Sequence, residues 1–348
     1  MRQRLGAVLA ALCLVAAPVH AANWATKEAC AVTELTLPDG WVAPDDLQEI
    51  EARAAQIPNP TGKLWRITAP GGAVSHLYGT FHLNEPVILK LPPELKDILA
   101  RTRIIATEID PRPATRRQIN NDPLESYRWR SSRGSSQEPP FEPEVLPWVR
   151  SYFSALGFER PWRVLTDAGV AEALLWDPCN DFHAGIFPIL DDRIALEGII
   201  AGAEHRALEE TGTFLVEMNR SANRDVLYGM LQVFATYLEP ASSNVARQAD
   251  MALYAQGRIG AMMAWEEQRL TAIFGPERAA TYLRDADGYL LRDRNRAWLE
   301  RIESELKQGG VTMAVGAFHL PGEDGLIEML CARGFALERI VAQGEVLR

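Results

Sequence analysis

One ten-residue pattern occurs twice in this chain, once near each end, and the two copies align without a gap. Residues 74–83 read Val-Ser-His-Leu-Tyr-Gly-Thr-Phe-His-Leu, and residues 311–320 read Val-Thr-Met-Ala-Val-Gly-Ala-Phe-His-Leu. In each copy an apolar, strand-like segment ends at a glycine, which permits a sharp turn, and a histidine follows three residues later. Equivalent turns at one edge of a single sheet would bring His82 and His319 together, where open α/β sheets bind ligands.

The remaining strand-like segments also lie near the two ends, and helical periodicity fills the middle. Strands are expected at Leu64–Ile67, Val74–Tyr78, Arg103–Ile109, Val311–Val315 and Phe335–Val341. Helices are expected at Leu91–Ala100, 213–238, 242–273, 276–308 and 325–333. The sequence therefore predicts an α/β fold whose central mixed sheet is built from N- and C-terminal βα repeats, with a large helical insertion at about 145–308.

The first 21 residues resemble a secretory signal peptide. Two arginines precede the apolar run Ala7–Pro18, and the small residue Ala21 stands before a cleavage point. This run is shorter than the roughly 20 residues that a membrane-spanning helix needs, and no later segment replaces it. We therefore expect a secreted or periplasmic protein without a membrane span in the mature chain.

After the signal peptide at 1–21, we expect an N-terminal extension at 22–59 and one α/β domain at 60–348. Residues 111–145 are polar and rich in Pro, Arg, Ser and Glu, which predicts a long loop within that domain. The net charge of −10 and the lack of a basic stripe exclude nucleic acid as a partner, because binding it requires Lys and Arg to neutralise phosphates.

Three cysteines remain once the signal peptide is removed. An oxidising compartment permits one disulfide among Cys30, Cys179 and Cys331. Cys30 and Cys179 lie in loop-like segments, whereas Cys331 belongs to the apolar pattern of a helix, so we expect the first two to pair. The alternative is three unpaired thiols.

Glu108 lies at the end of an otherwise apolar strand, near the edge where the two histidines are expected. His82, His319 and Glu108 are a common set of ligands for a catalytic metal, and three protein ligands leave positions for water and substrate. This set does not distinguish Zn, Mn, Co or Fe(II). The same residues could also act without a metal, with Glu108 as general base and a histidine as acid or as a donor to an oxyanion.

Several segments resemble the TraB/GumN family, which is related to the Tiki-type metalloproteases and, more remotely, to erythromycin-esterase and ChaN-like proteins. The resemblance spans about residues 60–341. The segments that carry it are 78–82, Ala106-Thr107-Glu108, Pro161-Trp162, Leu190-Asp191, 208–211, Arg294-Asn295 and Val315-Gly316-Ala317-Phe318-His319-Leu320-Pro321-Gly322 with Gly325-Leu326.

The resemblance implies a site built from the two histidines and Glu108. It also implies an acidic residue within 208–211, which we assign to Glu209, and groups that support the metal or bind substrate at Arg294 and Asn295. Tiki-type members are metal-dependent proteases, so the leading hypothesis is a periplasmic metal-dependent hydrolase acting on a peptide or another small molecule. The alternatives are a ChaN-like protein that binds heme or a metal without turnover, and an inactive scaffold that regulates a partner.

The other histidines are given structural roles. His76 lies in the strand before the first motif, and its counterpart in the second copy is Met313. His183 is expected on a surface loop. His205 is expected to be solvated on a charged helix, between Glu204 and Arg206.

Overall fold

The computed structural model describes residues 30, 32, 34–111, 125–129, 140–155, 157, 160–175, 179, 188–239 and 243–346. The signal peptide expected at 1–21, most of the polar segment at 111–145 and His183 lie outside these ranges.

Strands and helices alternate at the two ends of the chain, and helices dominate between them. The strands are β1 (Leu64–Thr68), β2 (Val74–Thr80), β3 (Ile104–Thr107), β4 (Glu204–Ala207), β5 (Val311–Gly316) and β6 (Ala336–Ile340). The helices are α1 (Pro44–Ala54), α2 (Pro93–Leu99), α3 (Glu125–Arg128), α4 (Leu146–Ala155), α5 (Asp167–Leu175), α6 (Leu190–Ile200), α7 (Thr213–Met218), α8 (Arg224–Thr236), α9 (Ser243–Ala255), α10 (Ile259–Phe274), α11 (Pro276–Asp287), α12 (Arg294–Gln308) and α13 (Leu326–Ala332). A π-helix, Gly288–Asp293, joins α11 to α12, and a short 3-10 turn, Ala317–His319, follows β5.

The strands form one mixed sheet in the order β4-β3-β5-β2-β1-β6. The first four strands in this order are mutually parallel, while β1 runs antiparallel to both β2 and β6. Strand β5, from the C-terminal part of the chain, therefore lies between β3 and β2 from the N-terminal part. The α/β fold with a central mixed sheet and a helical middle region is confirmed.

Successive side chains of each strand point to opposite faces of the sheet, and an apolar core lies on each face. In β3, Ile104 and Ala106 pack with residues of α12 and α13, whereas Ile105 packs on the other face with residues of α6 and α10. A separate apolar core joins α4, α5, α7, α8 and α11. Within the described ranges, no helix is both long and apolar enough to cross a membrane.

Strand β4 was not expected, and the prediction that His205 is solvated on a helix is wrong. His205 lies in β4, its side chain is only 5% exposed, and its Nε2 atom is 2.8 Å from Oγ1 of Thr107. Four residues at a sheet edge are too few to show a period of two, and the charged neighbours Glu204 and Arg206 hide the strand.

A disulfide joins Cys30 to Cys179, which confirms the expected pairing. It connects the segment before α1 to the segment between α5 and α6, across 149 residues of sequence. Cys331 is a free cysteine on α13, and it is exposed despite the apolar pattern around it.

Candidate functional site

Four parallel strands end at the same edge of the sheet, and each is followed by a polar residue. His82 follows β2, Glu108 follows β3, Glu209 follows β4 and His319 follows β5. The two copies of the repeat are direct neighbours, because residues 76–80 of β2 pair in parallel with residues 312–316 of β5. This is the edge at which open α/β sheets bind ligands.

His82 is oriented by a carboxylate from the start of α6. Its Nδ1 atom lies 2.9 Å from Oδ2 of Asp191, and the other oxygen of Asp191 accepts a hydrogen bond from the Thr80 hydroxyl at 2.5 Å. The backbone N–H of Leu190 donates to the carbonyl of Leu83, which fixes α6 against the first motif. The Nε2 atom of His82 is left 3.8 Å from Oε1 of Glu108.

The Glu108 carboxylate accepts hydrogen bonds from two different elements. The backbone N–H of Gly316 donates to Oε1 at 2.8 Å, and Nη2 of Arg294 donates to Oε2 at 2.6 Å. Arg294 also donates from Nε and Nη2 to the two oxygens of Glu209, at 3.1 Å and 2.7 Å. One guanidinium therefore joins the carboxylates that follow β3 and β4, and bonds of this charged type are stronger than neutral ones.

His319 is buried and its ring is held by Asn295. The Asn295 amide donates to the carbonyls of His319 and Asp324, so its Oδ1 atom faces Nδ1 of His319, at 2.7 Å. Because Oδ1 is an acceptor, Nδ1 of His319 carries the proton and Nε2 carries the lone pair. That Nε2 atom is 3.9 Å from Oε1 of Glu108 and 3.4 Å from Nη1 of Arg294.

Trp298, one turn along α12 from Arg294, packs its ring against both His319 and Arg294. Its ring centroid is 4.4 Å from that of His319 and 4.5 Å from the guanidinium carbon of Arg294. The indole N–H donates to Glu209 at 3.3 Å. By contrast, Glu210 is 87% exposed and its carboxylate is 3.9 Å from Arg301, so Glu209 is the member of the acidic pair that faces the site.

The two histidines titrate in opposite directions. The charge of Asp191 raises the pKa of His82 to about 9, whereas burial lowers the pKa of His319 to about 3. Burial opposes ionisation of Glu108, but Arg294 and the two histidines outweigh it and hold the pKa of Glu108 below its ordinary value. Without a metal, the site therefore contains a protonated His82, a neutral His319 and an ionised Glu108.

The donor set suits a divalent cation. Ligand atoms of His82, Glu108 and Asp191 all lie within 4.8 Å of one another, so this group could hold a metal ion. The set differs from the expected one, because Asp191 stands in it where His319 was expected. With His82 neutral, the two carboxylates of this group give it the charge that a divalent ion balances.

Gly316 keeps a space open among the histidines and Glu108. A Cβ atom on this glycine would lie 3.2 Å from Nε2 of His82, 3.3 Å from Oε1 of Glu108 and 3.5 Å from Cδ2 of His319. A side chain at position 316 would therefore contact all three of these residues. Without such a side chain, the space beside Gly316 is open to a ligand that contacts His82, Glu108 and His319.

Sequence reasoning assigned Asp191 no chemical role. Leu190-Asp191 was noted only as one of the segments that carry the family resemblance, at the start of a helix, where acidic residues are common. The signal that could have distinguished it is Thr80 in the first motif, since the second copy has Ala317 at that position. Only the first motif therefore offers a hydroxyl that can hold a carboxylate beside its histidine.

These features define an α/β protein with a candidate metal-binding group at the carboxyl ends of parallel strands. The family model described as the TraB/PrgY/gumN family matches residues 63–339, and the chain belongs to that family. Comparison with curated proteins and with solved structures gave no significant match.

Proposed function

We propose that this chain is a metal-dependent hydrolase of the cell envelope that acts on peptide bonds. The space beside Gly316 supports this role most directly, because it is bordered by Nε2 of His82, Oε1 of Glu108 and the ring of His319. An imidazole, a carboxylate and a second imidazole around one open position are a common ligand set of catalytic metals.

The orientation of the two rings favours His319 as the third ligand. The Nδ1 atoms of His82 and His319 are engaged by Asp191 and Asn295, at 2.9 Å and 2.7 Å, and both Nε2 atoms approach one oxygen of Glu108. Metal-ligating histidines are held in this way by an outer carboxylate or carbonyl group. Both oxygens of Asp191 already accept hydrogen bonds, so we assign it to orienting His82.

A divalent ion, when bound, supplies Lewis acidity that polarises a carbonyl and makes water a better nucleophile near neutral pH. The protein supplies positioning and charge. Arg294 is fixed by Glu108 and Glu209, and its Nη1 atom, 3.4 Å from Nε2 of His319, can donate to the oxygen of a substrate carbonyl. Glu209 holds this guanidinium in place by accepting hydrogen bonds from its Nε and Nη2 atoms.

Two observations support action on peptides outside the cytoplasm. The resemblance to Tiki-type metalloproteases implies a peptide substrate. The Cys30–Cys179 disulfide suits an oxidising compartment, in agreement with the secretory signal expected at residues 1–21.

The test is metal analysis of the natively purified protein, followed by cleavage of an unbiased peptide library with and without a chelator. We expect a stoichiometric divalent metal, cleavage that the chelator abolishes, and recovery when the metal is restored. In Glu108→Gln and His319→Gln, cleavage should fall at least about a hundredfold. The control is His76→Gln, which makes the same change at a histidine of β2 away from this edge and should retain activity.

Chelator-insensitive cleavage would contradict the role of the metal. Heme absorbance that His82→Ala abolishes, without any peptide cleavage, would favour a binding protein instead. A protein that neither binds metal nor cleaves peptides would be the inactive scaffold.

A further inference from the structure

His205 is a buried histidine outside the group of residues to which we have assigned the metal and the reaction. It lies in β4, and its register partner in β3 is Ile105, two residues before Thr107. Side chains two residues apart on a strand point to the same face of the sheet, so His205 and Thr107 share a face. The His205 side chain is only 5% exposed, and a ring nitrogen at that depth is costly unless it has a hydrogen-bond partner.

The Thr107 hydroxyl is that partner, and it stands at the centre of two linked hydrogen bonds. Oγ1 of Thr107 donates to the carbonyl of Ile109 at 2.8 Å, and Nε2 of His205 lies 2.8 Å from the same Oγ1 atom. A hydroxyl group has one proton to donate, and a carbonyl can only accept. The hydroxyl proton therefore points to Ile109, and Nε2 of His205 carries the proton of the second bond. The neutral Nε2–H tautomer and the imidazolium ion both provide that proton.

These two bonds close the bend from which Glu108 projects. Strand β3 ends at Thr107, and the bond from the Thr107 side chain to the Ile109 carbonyl joins the residues on either side of Glu108. The backbone N–H of Glu209 also donates to the carbonyl of Glu108, at 2.9 Å. The bend is therefore fixed to the segment of β4 twice, once through the backbone and once through the ring of His205.

The direction of the Glu108 side chain matters because its two oxygens have different partners. Oε1 accepts a hydrogen bond from the backbone N–H of Gly316 at 2.8 Å and approaches Nε2 of both site histidines. Oε2 accepts a hydrogen bond from Arg294 at 2.6 Å. A change in the backbone of residues 107–109 would move both oxygens, because the Glu108 side chain starts from this bend.

We propose that His205 is a positioning residue for Glu108 and that it acts through the Thr107 hydroxyl. By donating from Nε2, His205 holds the bend at 107–109 in the conformation that directs Glu108 toward Gly316. This role rests on the proposed function in one respect, that Glu108 is a ligand of the metal. The orientation of Glu108 itself can be measured in metal-free protein, so the two proposals can fail separately.

The test is the amide resonance of Gly316 in metal-free protein labelled with ¹⁵N-glycine, because this N–H donates to Glu108 directly. Thr107→Val and His205→Phe remove the hydroxyl and the ring N–H with side chains of similar shape. In both variants the Gly316 proton should shift upfield, toward its position in Glu108→Ala, which lacks the acceptor. Thr107→Ser and His205→Gln keep a hydroxyl and an N–H donor, so they should return the resonance toward that of the parent.

Two further variants separate the proposed role from a general loss of structure. His205→Asn keeps a polar side chain, but its amide nitrogen falls at the place of Nδ1 and cannot reach Thr107, so it should behave like His205→Phe. In a Thr107→Val background, His205→Phe should cause no further shift, because residues that act through one another are not additive. His76→Phe makes the same replacement in β2 and should leave the Gly316 resonance unchanged.

Metal affinity gives the second measurement, with Zn²⁺ as the probe in calorimetry. Affinity should fall about tenfold in Thr107→Val and His205→Phe and recover in Thr107→Ser and His205→Gln. An unchanged Gly316 resonance in His205→Phe and His205→Asn would overturn the assignment, as would an undiminished further shift in the Thr107→Val background. A parent protein that binds no Zn²⁺ would contradict the proposed function instead, and the Gly316 resonance would still decide the role of His205.

Discussion

His82 and His319 occupy the same position in the two copies of one motif, and their Nε2 atoms lie 3.8 Å and 3.9 Å from a single oxygen of Glu108. Their surroundings differ sharply. The charge of the Asp191 carboxylate raises the pKa of His82, whereas burial lowers the pKa of His319, so that one imidazole is protonated and the other is neutral in the metal-free protein. Binding of a divalent ion would therefore release a proton from His82.

Replacing Asp191 with asparagine should lower the pKa of His82 from about 9 towards its ordinary value of 6.5, because the largest stabilising charge is removed. The measurement is an NMR titration of the histidine ring protons in metal-free protein. Asp192→Asn is the matched control, since it changes the neighbouring acid and leaves the Asp191–His82 hydrogen bond intact. A His82 pKa that stays near 9 in Asp191→Asn would show that another group sets it.

The two motifs could be read from the sequence because each rests on local chemistry: an apolar strand, a glycine and a histidine. The gapless repeat also indicated that the strands are equivalent, and in the structure β2 and β5 are indeed neighbours. Glu108 could be identified from the sequence for the same reason, because it is a charged residue at the end of an apolar strand. The sheet and the residues at its edge were thus predictable from short segments.

What the sequence could not indicate depends on contacts between distant segments. Asp191 and Thr80 are 111 residues apart, and only the packing of α6 against the end of β2 brings them together. The direction in which the Arg294 side chain points depends on the π-helix before it, because the extra residue per turn of a π-helix rotates the helix that follows. The apolar pattern of the sequence does not show this extra residue. Strand β4 takes its conformation from pairing with β3 rather than from its own residues.

Loss of the Cys30–Cys179 disulfide should destabilise the protein by about 2–5 kcal/mol, because the crosslink closes a long loop in the unfolded chain. The measurement is denaturant unfolding of Cys30→Ser/Cys179→Ser. Cys331→Ser is the control, since Cys331 is free and exposed, and it should unfold like the parent protein. An unchanged midpoint in the double variant would mean that the pair does not stabilise the fold.

Asp287 should make the protein less stable as the pH rises. Its pKa is raised by burial from 3.8 to about 8 in the folded state, so the folded protein keeps a proton that the unfolded chain loses. The resulting stabilisation is complete below pH 3.8 and disappears as the pH rises to about 8, by at most about 1.4 kcal/mol per pH unit.

Asp287→Asn should flatten this decline, measured as the difference from the parent in unfolding free energy between pH 5 and about pH 8. Glu277→Gln, on the same helix, should reproduce the slope of the parent. A variant with the same slope as the parent would show that Asp287 titrates normally.

Gly316→Ala is the sharpest test of the open position between the histidines. The backbone of Gly316 has φ −48° and ψ 136°, which alanine adopts without strain, so the fold should be retained. The added methyl group would lie 3.2 Å from Nε2 of His82 and 3.3 Å from Oε1 of Glu108, filling the position that we assign to the metal. We expect metal affinity and peptide cleavage to fall at least about tenfold, because displaced ligands can no longer converge.

Gly71→Ala is the control, since a methyl group there, in the β1–β2 turn, meets no atom within 4 Å. If Gly316→Ala binds metal as tightly as the parent, the ion lies elsewhere, and His82, Glu108 and Asp191 would be the group to examine next.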